Sequence, residues 1–419
     1  MKPSPAATLT PLFCVLVAIT LLSVHIFFPN SPSPSSPSSS SSFSSSKSVF
    51  HGEGRKLGSR TASNSFSSLA PISGINVFGL LSHSFGLGRA ARNVVKCLLA
   101  ANESITAVDM TADLLRKKGD VIEDYGSTPN YPAHSHSFDL FALNMDLNKL
   151  VLKKVHQLDR NKRVKRAYSK HYRIALWHWE TSSLPLPFGF HAENYNEIWT
   201  PTQYIADAIR NTPTFVHTAK VVVLPYGVAG ELPLAAGSLK TESRARLYNY
   251  TTKITQFWPL NGEDTVVKKW SSSASKTTLF LVIFDFQSDY LRKNVLGSIA
   301  AFEEAFPIGS KEDVGLVIKT TGFKVIKDDA ALVMAHIAKL NDSRIYCLGG
   351  VSSDEDLFDL KRGVDCYVSL HRSEGLGLNL LEAIFSGVPT ISTAYSGSED
   401  FMNLLYGKLA AYFRIAQSF

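Results

Sequence analysis

Cysteine is scarce in this chain. Its 419 residues hold four, Cys14, Cys97, Cys347 and Cys366. None sits in a C-x-x-C pair, so a zinc site or a dithiol redox motif lacks its ligands. Cys14 lies in an apolar run and the other three cannot build a disulfide framework, so buried free thiols are expected. A second long apolar run is also missing, which excludes a multi-span transporter. Charge of one sign is not in strong excess. The formal net charge is +7, but residues 1–70 carry Lys2, Lys47, Arg55, Lys56 and Arg60 against Glu53 alone. The remainder holds 38 bases and 35 acids, too even a balance for a nucleic-acid partner. Hydrophobic residues at 45% and charged residues at 19% exclude a wholly disordered or collagen-like chain. The length suits two or three domains of ~150 residues each.

The one long apolar run is LFCVLVAITLLSVHIFF, residues 12–28. Extended through Ala6, Ala7 and Thr8 it nears the ~20 residues that span a bilayer core. It is long for a cleaved signal core and no clear A-x-A site follows it. Residues 31–46 contain twelve Ser and three Pro. Such a stretch cannot bury enough surface to fold. Residues 1–30 therefore read as a membrane anchor and 31–71 as a disordered Ser/Pro-rich stalk. A single-pass protein of the Golgi or secretory pathway is expected. A cleaved signal peptide and a plastid transit peptide are the alternatives.

From residue 72 the pattern becomes α/β. ISGINVFGLL reads as a buried strand ending in a Gly-rich turn, and Arg89–Ala101 as a helix with Val94, Val95, Leu98 and Leu99 on one face. ITAVDM, FDLFALNM (138–145), RIALWHWE (173–180), NEIWTP (196–201) and KVVVLPYGV (220–228) follow as strands. Residues 231–276 are polar and read as a linker or insertion. Strands resume at 277–286, 314–320, 344–349, 364–370 and 388–394, with a helix over Asn294–Phe306. Apolar strands alternating with helices imply parallel sheets covered on both faces. Two Rossmann-like domains result, 72–230 and 277–419. A last strand is expected at 408–413, and little chain is left after it for closing helices.

The strongest motif is HRSEGLGLNLLEAIFSGVP, residues 371–389. It follows a strand and opens a helix near Leu376. Gly375 and Gly377 allow close backbone approach, and the helix start offers free N–H groups and a positive dipole end to an anion. Glu374 stands before the helix. Glu382, eight residues later, lies about two turns along, so the two acids cannot touch the same atoms. The pair suits a long ligand, with reacting chemistry at one end and ribose hydroxyls at the other.

Glu374-x7-Glu382 with the interior G-x-G and the EAIFSGVPTI that follows closely resembles the E-x7-E motif of retaining family-4 glycosyltransferases. LRKNVLGSIAAF, GLVIKT, YNEIWTPTQYIADAI and VVVLPYGV are similar to other parts of that family in the same order. WHWE, with Pro185 after it, is similar to a W-x-W-E-x-x-x-x-P stretch in some members. The resemblance spans roughly residues 73–405. It implies the GT-B fold, two Rossmann-like domains facing a cleft, and transfer of a sugar from a nucleotide-sugar to an acceptor that is a glycan, a lipid or a small molecule. It is to a plant-like, membrane-anchored member with a short C-terminus. By the resemblance Glu374 lies by the donor sugar and Glu382 binds the ribose. Gly375, Leu376 and Gly377 offer amides, and Lys293 with Arg292 clamps phosphate. The family's other basic contact falls near Ser288, and Lys319 at a strand end is a substitute. No metal or other cofactor is implied.

A second glycine loop, SHSFGLGRAAR, covers residues 82–92. Gly86-x-Gly88-x-x-Ala91 also fits a dinucleotide fingerprint, with Asp109 ending the next strand. The loop from Gly79 to Gly86 is longer than that fingerprint's tight turn, which favours a cleft loop. Alternation places His178 and Glu180 on one face and Trp177 and Trp179 on the other, an arrangement suited to a sugar or to a packed aromatic cluster. His134 and His136 share a loop with too few ligands for a metal. Lys162, Arg163, Lys165, Arg166, Lys170 and Arg173 form a basic run, read as a solvated face. Two rival functions stay open at this point, a catalytically inactive truncated GT-B protein and an NAD(P)-dependent oxidoreductase.

Overall fold

The computed structural model describes residues 74–83, 85–111, 136–147, 150–151, 171–215, 217–225, 241–245, 256–258, 270–272, 275–350, 353–406 and 414–415. The expected anchor and stalk, the strand expected at 408–413, His134 and residues 162–170 of the basic run lie outside these. Among the described residues no helix is long and apolar enough to cross a membrane.

Two sheets organise the molecule. The first has the strand order β2-β1-β3-β4-β5-β6, formed by β1 (Ile75–Gly79), β2 (Ile105–Asp109), β3 (Phe138–Ala142), β4 (Tyr172–Leu176), β5 (Glu197–Thr200) and β6 (Lys220–Val223). All its pairings are parallel. The second has the order β13-β12-β11-β8-β9-β10-β7. Its strands are β7 (Gln256–Trp258), β8 (Thr278–Asp285), β9 (Val314–Thr321), β10 (Ile345–Gly349), β11 (Cys366–Ser369), β12 (Thr390–Thr393) and β13 (Arg414–Ile415). Every pairing is parallel except β7 on β10. β7 lies inside the polar stretch expected to be a linker. Its three residues are too few to show a period of two, so the sequence carries no strand signal there.

Helices among the described residues include α1 (Gly86–Ala100), α2 (Gln203–Arg210), the one-turn α3 (Tyr290–Lys293), α4 (Val295–Ala305), α5 (Lys327–Leu340), α6 (Asp354–Arg362), α7 (Leu378–Phe385) and α8 (Glu399–Tyr406). Strand alternation splits each sheet between two cores. Phe78 of β1 and Phe141 of β3 enter a cluster of the first domain. Val282 and Phe284 of β8 enter one of the second. The opposite faces, with Val77 and Leu140 of the first sheet and Leu279 and Leu281 of the second, belong to one apolar cluster. Each fully buried aliphatic side chain in them contributes about 1.5–3 kcal/mol. Of the four apolar residues expected on α1's inner face, Val94, Val95 and Leu98 are buried and Leu99 is exposed.

Both sheets reverse their strand order at a switch point, between β1 and β3 in the first and between β8 and β11 in the second. At such a point the connections leave in opposite directions and open a crevice beyond the carboxyl ends of the strands. The cavity described next uses both.

Candidate active site

A cavity of about 510 Å3 is lined from the first domain by Phe85, Gly86, Arg89, Asn144 and the segment His178–Thr181, and from the second by the ends of β8 and β11, α3, Lys319 and residues 374–380. That volume lies within the ~300–1,000 Å3 of small-molecule sites.

Glu374 is its central acid. It follows β11 and is held in place by its backbone. Its N–H donates to Ser396 Oγ at 2.8 Å, and its carbonyl accepts from Gly397 N–H at 2.9 Å. Lys293 Nζ donates to Glu374 Oε1, and Arg292 Nη1 lies 3.4 Å from Oε2. Burial raises the carboxyl's pKa, but Lys293, Arg292 and His371 outweigh it and bring it down to about 2. The carboxylate is thus charged at any physiological pH.

Arg292 is itself fixed. Nε and Nη2 donate to the Ser288 carbonyl at 3.2 and 2.9 Å, and Nη1 donates to the Ser373 carbonyl at 2.7 Å. Its Nη2 stands 3.9 Å from Glu180 Oε1 of the first domain. The left-handed Asp289 caps α3 through bonds from the N–H groups of Leu291 and Arg292, which presents Arg292 and Lys293 together. Lys319, 1% exposed, also lines the cavity, but its Nζ donates to the Thr320 carbonyl at 3.1 Å and to that of Gly350.

The glycines serve different ends. α7 begins at Leu378, two residues later than expected, with Gly377 as its left-handed N-cap at φ 77°. A Cβ on Gly375 would meet the Trp179 carbonyl at 2.5 Å, so this glycine lets the two domains touch. Thr202 Oγ1 completes that seam by donating to the Gly375 carbonyl at 2.9 Å. Gly86 opens α1 beside the cavity, and a Cβ there would meet nothing within 4 Å. Gly88 sits under its own loop, where a Cβ would meet the His83 carbonyl at 2.2 Å. Asp109, the acid of the dinucleotide alternative, accepts from Ser82 Oγ and, at 2.6 Å, from Thr111 Oγ1, so its carboxylate closes the loop on itself.

β4 ends at Leu176, so the strand alternation expected through Glu180 does not apply. Trp177 N–H still donates to the Trp199 carbonyl at 2.9 Å and the ring is fully buried. The chain then leaves the sheet, and His178, Trp179 and Glu180 all reach the cavity wall. His178 N–H donates to Asn144 Oδ1 at 2.8 Å, and burial lowers the imidazole pKa to about 4, so the ring is neutral at pH 7. Trp179 Nε1 donates to Thr181 Oγ1 at 2.7 Å and to the Ser183 carbonyl at 2.9 Å, fixing the indole.

Glu382 is placed behind the cavity wall and is 1% exposed. Arg89 Nη2 stands 2.5 Å from its Oε1 and Lys361 Nζ 2.7 Å from its Oε2. Sequence reasoning reached neither partner. The spacing of Arg89 and Arg92 on the α1 face was a signal, since residues three apart share a helix face. Among the described residues no group of three or more His, Cys, Asp or Glu is placed to hold a metal ion.

Residues 288–407 match the family model described as glycosyl transferases group 1, so a group 1 glycosyltransferase domain occupies that stretch. No curated protein matches the chain. Solved structures similar to it include sucrose-phosphate synthase from Thermosynechococcus elongatus, with 14% identity over 78% of this chain and 82% of that one and a TM-score of 0.49. HepE from Anabaena, bound to UDP and glucose, is 11% identical over 78% of this chain and 82% of its own, with a TM-score of 0.48. An α,α-trehalose 6-phosphate synthase from Burkholderia multivorans is 13% identical over 82% and 87%, with a TM-score of 0.46.

Proposed function

We propose that the chain is a retaining glycosyltransferase of GT-B architecture that moves a sugar from a nucleotide-sugar donor to an acceptor hydroxyl. The observation that carries this is Glu374, ionised between Lys293 and Arg292 on the wall of a cavity shared by both domains. The donor's diphosphate would lie against Lys293, Arg292 and the start of α7, where fixed cations and helix amides stabilise the charge gained on departure. The sugar would lie by Glu374. The acceptor would approach from the His178–Thr181 wall. In the step itself the bond from the anomeric carbon to the phosphate oxygen breaks and a bond to the acceptor oxygen forms on the same face. The acceptor proton passes to the departing diphosphate, and Glu374 stays a carboxylate throughout. The residues' share is positioning and charge stabilisation. The apolar run at 12–28 would anchor the enzyme to a secretory-pathway membrane, with plastid import as the other reading.

A screen of nucleotide-sugars for donor hydrolysis tests this, run on the full chain and on Glu374→Ala. Wild-type turnover of at least one donor, lost in a variant that remains folded, is the expected result. Full activity in Glu374→Ala refutes the assignment.

A further inference from the structure

Five charged side chains meet at the wall of the cavity and behind it, and they come from both domains. Arg92, on α1 of the first domain and 3% exposed, grips Asp354 at the start of α6 with a two-pronged contact. Its Nε donates to Oδ2 at 3.0 Å and its Nη2 to Oδ1 at 2.9 Å. The third nitrogen, Nη1, donates to the carbonyls of Leu81 at 2.9 Å and His83 at 2.7 Å, tying the same guanidinium to the glycine loop at the cavity's lip. Arg89, one turn earlier and 5% exposed, adds Nε at 3.3 Å from Asp354 Oδ1, Nη1 at 3.0 Å from Asn379 Oδ1 and Nη2 at 2.5 Å from Glu382 Oε1. Lys361, fully buried, closes the far side of Glu382.

The contacts of Arg89 and Arg92 with Asp354, Asn379 and Glu382 join residues 262 to 293 positions apart and so tie one domain to the other, whereas those of Arg92 with Leu81 and His83 and of Lys361 with Glu382 lie within one domain. A buried ion network is also a poor way to gain stability. Removing charges from water is costly, and an apolar replacement of similar volume often does as well. What charge offers instead is a contact of defined geometry that water can solvate when it opens, unlike an apolar seam. Asp354 heads α6, whose positive end favours the acid whether or not the arginines are present. Three cations face two carboxylates, which leaves a net positive charge beside a cavity that already presents Arg292 and Lys293.

We propose that Arg89 and Arg92 are positioning residues, an interdomain clamp that holds the two cavity walls at donor-binding distance and thereby sets the affinity for the nucleotide diphosphate. The clamp acts through Asp354, Asn379 and Glu382 and not by touching the reacting atoms. This rests on the donor reading given above.

The test uses the full chain in four forms: wild type, Arg92→Met, Asp354→Asn and the double variant. Labels at Leu99→Cys on the first domain and Leu332→Cys on the second report the interdomain distance, both native side chains being exposed and Cys14 changed to Ser. UDP, GDP and ADP are the probes for binding, read by calorimetry. Expected are a longer or broader distance distribution in each variant and a Kd about tenfold weaker for whichever nucleotide binds wild type. The double variant should lose less than the sum of the two singles, because both remove the shared Arg92–Asp354 contact. The KM for donor should rise with kcat at saturating donor largely kept. A distance distribution equal to wild type in all three variants overturns the clamp, as does an unchanged Kd in variants that open. Should wild type bind none of the three nucleotides, the donor reading fails, while the distance measurement still decides whether the clamp exists. Asp354→Asn keeps the shape of the side chain and leaves Arg92 bonded to the Leu81 and His83 carbonyls. It therefore decides the question alone if Arg92→Met, which strips both carbonyls of their donor, does not fold.

Discussion

Burial strips a carboxylate of hydration and favours its protonated form, so Glu374 in isolation would be a raised acid. Lys293 and Arg292 reverse this and hold it near a pKa of about 2. The consequence is measurable as stability. In the unfolded chain the same group titrates at its ordinary 4.5. Stability from its ionised form is complete above that value and disappears as pH falls through 2, below which both states are protonated. The gap corresponds to about 3 kcal/mol at order of magnitude. Glu374→Gln should therefore be less stable than wild type by about that amount at pH 7, and the difference should vanish near pH 2. Urea midpoints taken at intervals from pH 7 to 2 check this, and a pH-independent difference would remove the ion pair as its cause. Glu374 was legible in the sequence because its neighbours in the chain, two glycines and a helix start, state what kind of site it heads. The surroundings of Glu382 were not. Its partner Arg89 is 293 residues away, and nothing in a linear spacing indicates which helix faces which across a cleft.

Glycines that look alike in the sequence do unlike work once the elements are placed. Gly86 is the first residue of α1 and has open space around it, whereas Gly375 sits against the Trp179 carbonyl of the other domain. An alanine in α1 lowers the entropy of the unfolded chain without a clash, so Gly86→Ala should be neutral or stabilise by up to about 1 kcal/mol. Gly375→Ala puts a methyl 2.5 Å from a backbone oxygen and should destabilise by about 1–3 kcal/mol. Chemical denaturation of the two variants checks both signs, and equal effects would mean that the domain contact at Gly375 is not tight. Most strands were readable because they are buried on both faces and carry unbroken apolar runs. β4 was read too long because Trp177 continues the apolar run and still bonds to Trp199, although the chain turns out of the sheet immediately afterwards. The late start of α7 has a similar origin. Leu376 looks like a first helical residue, but the left-handed Gly377 delays the helix until Leu378.

At the scale of the molecule, alternation of strand and helix was enough to imply two parallel sheets. It did not indicate how the sheets face each other, because that depends on side chains such as Arg89, Arg92, Thr202 and Glu180 that have no periodic signature. The resulting cavity makes a demand on the whole chain. A ligand that binds only the folded, two-walled form must raise its stability by mass action, by about 2.7 kcal/mol at a concentration one hundred times Kd. For a body of this size that is about 5 °C in melting temperature. A nucleoside diphosphate should produce this shift, and inorganic pyrophosphate at the same concentration should produce less, since it meets Lys293 and Arg292 but leaves the rest of the cavity empty. Salt should weaken both, because the phosphate contacts are charge on charge and partly open to solvent. Thermal melts with UDP, GDP, ADP and pyrophosphate at low and high salt separate the outcomes. Equal shifts for pyrophosphate and the nucleotides would mean that the cavity recognises charge alone. No shift with any of them would leave the ionised Glu374 and its two cations as a structural feature, with no nucleotide-sugar to act on.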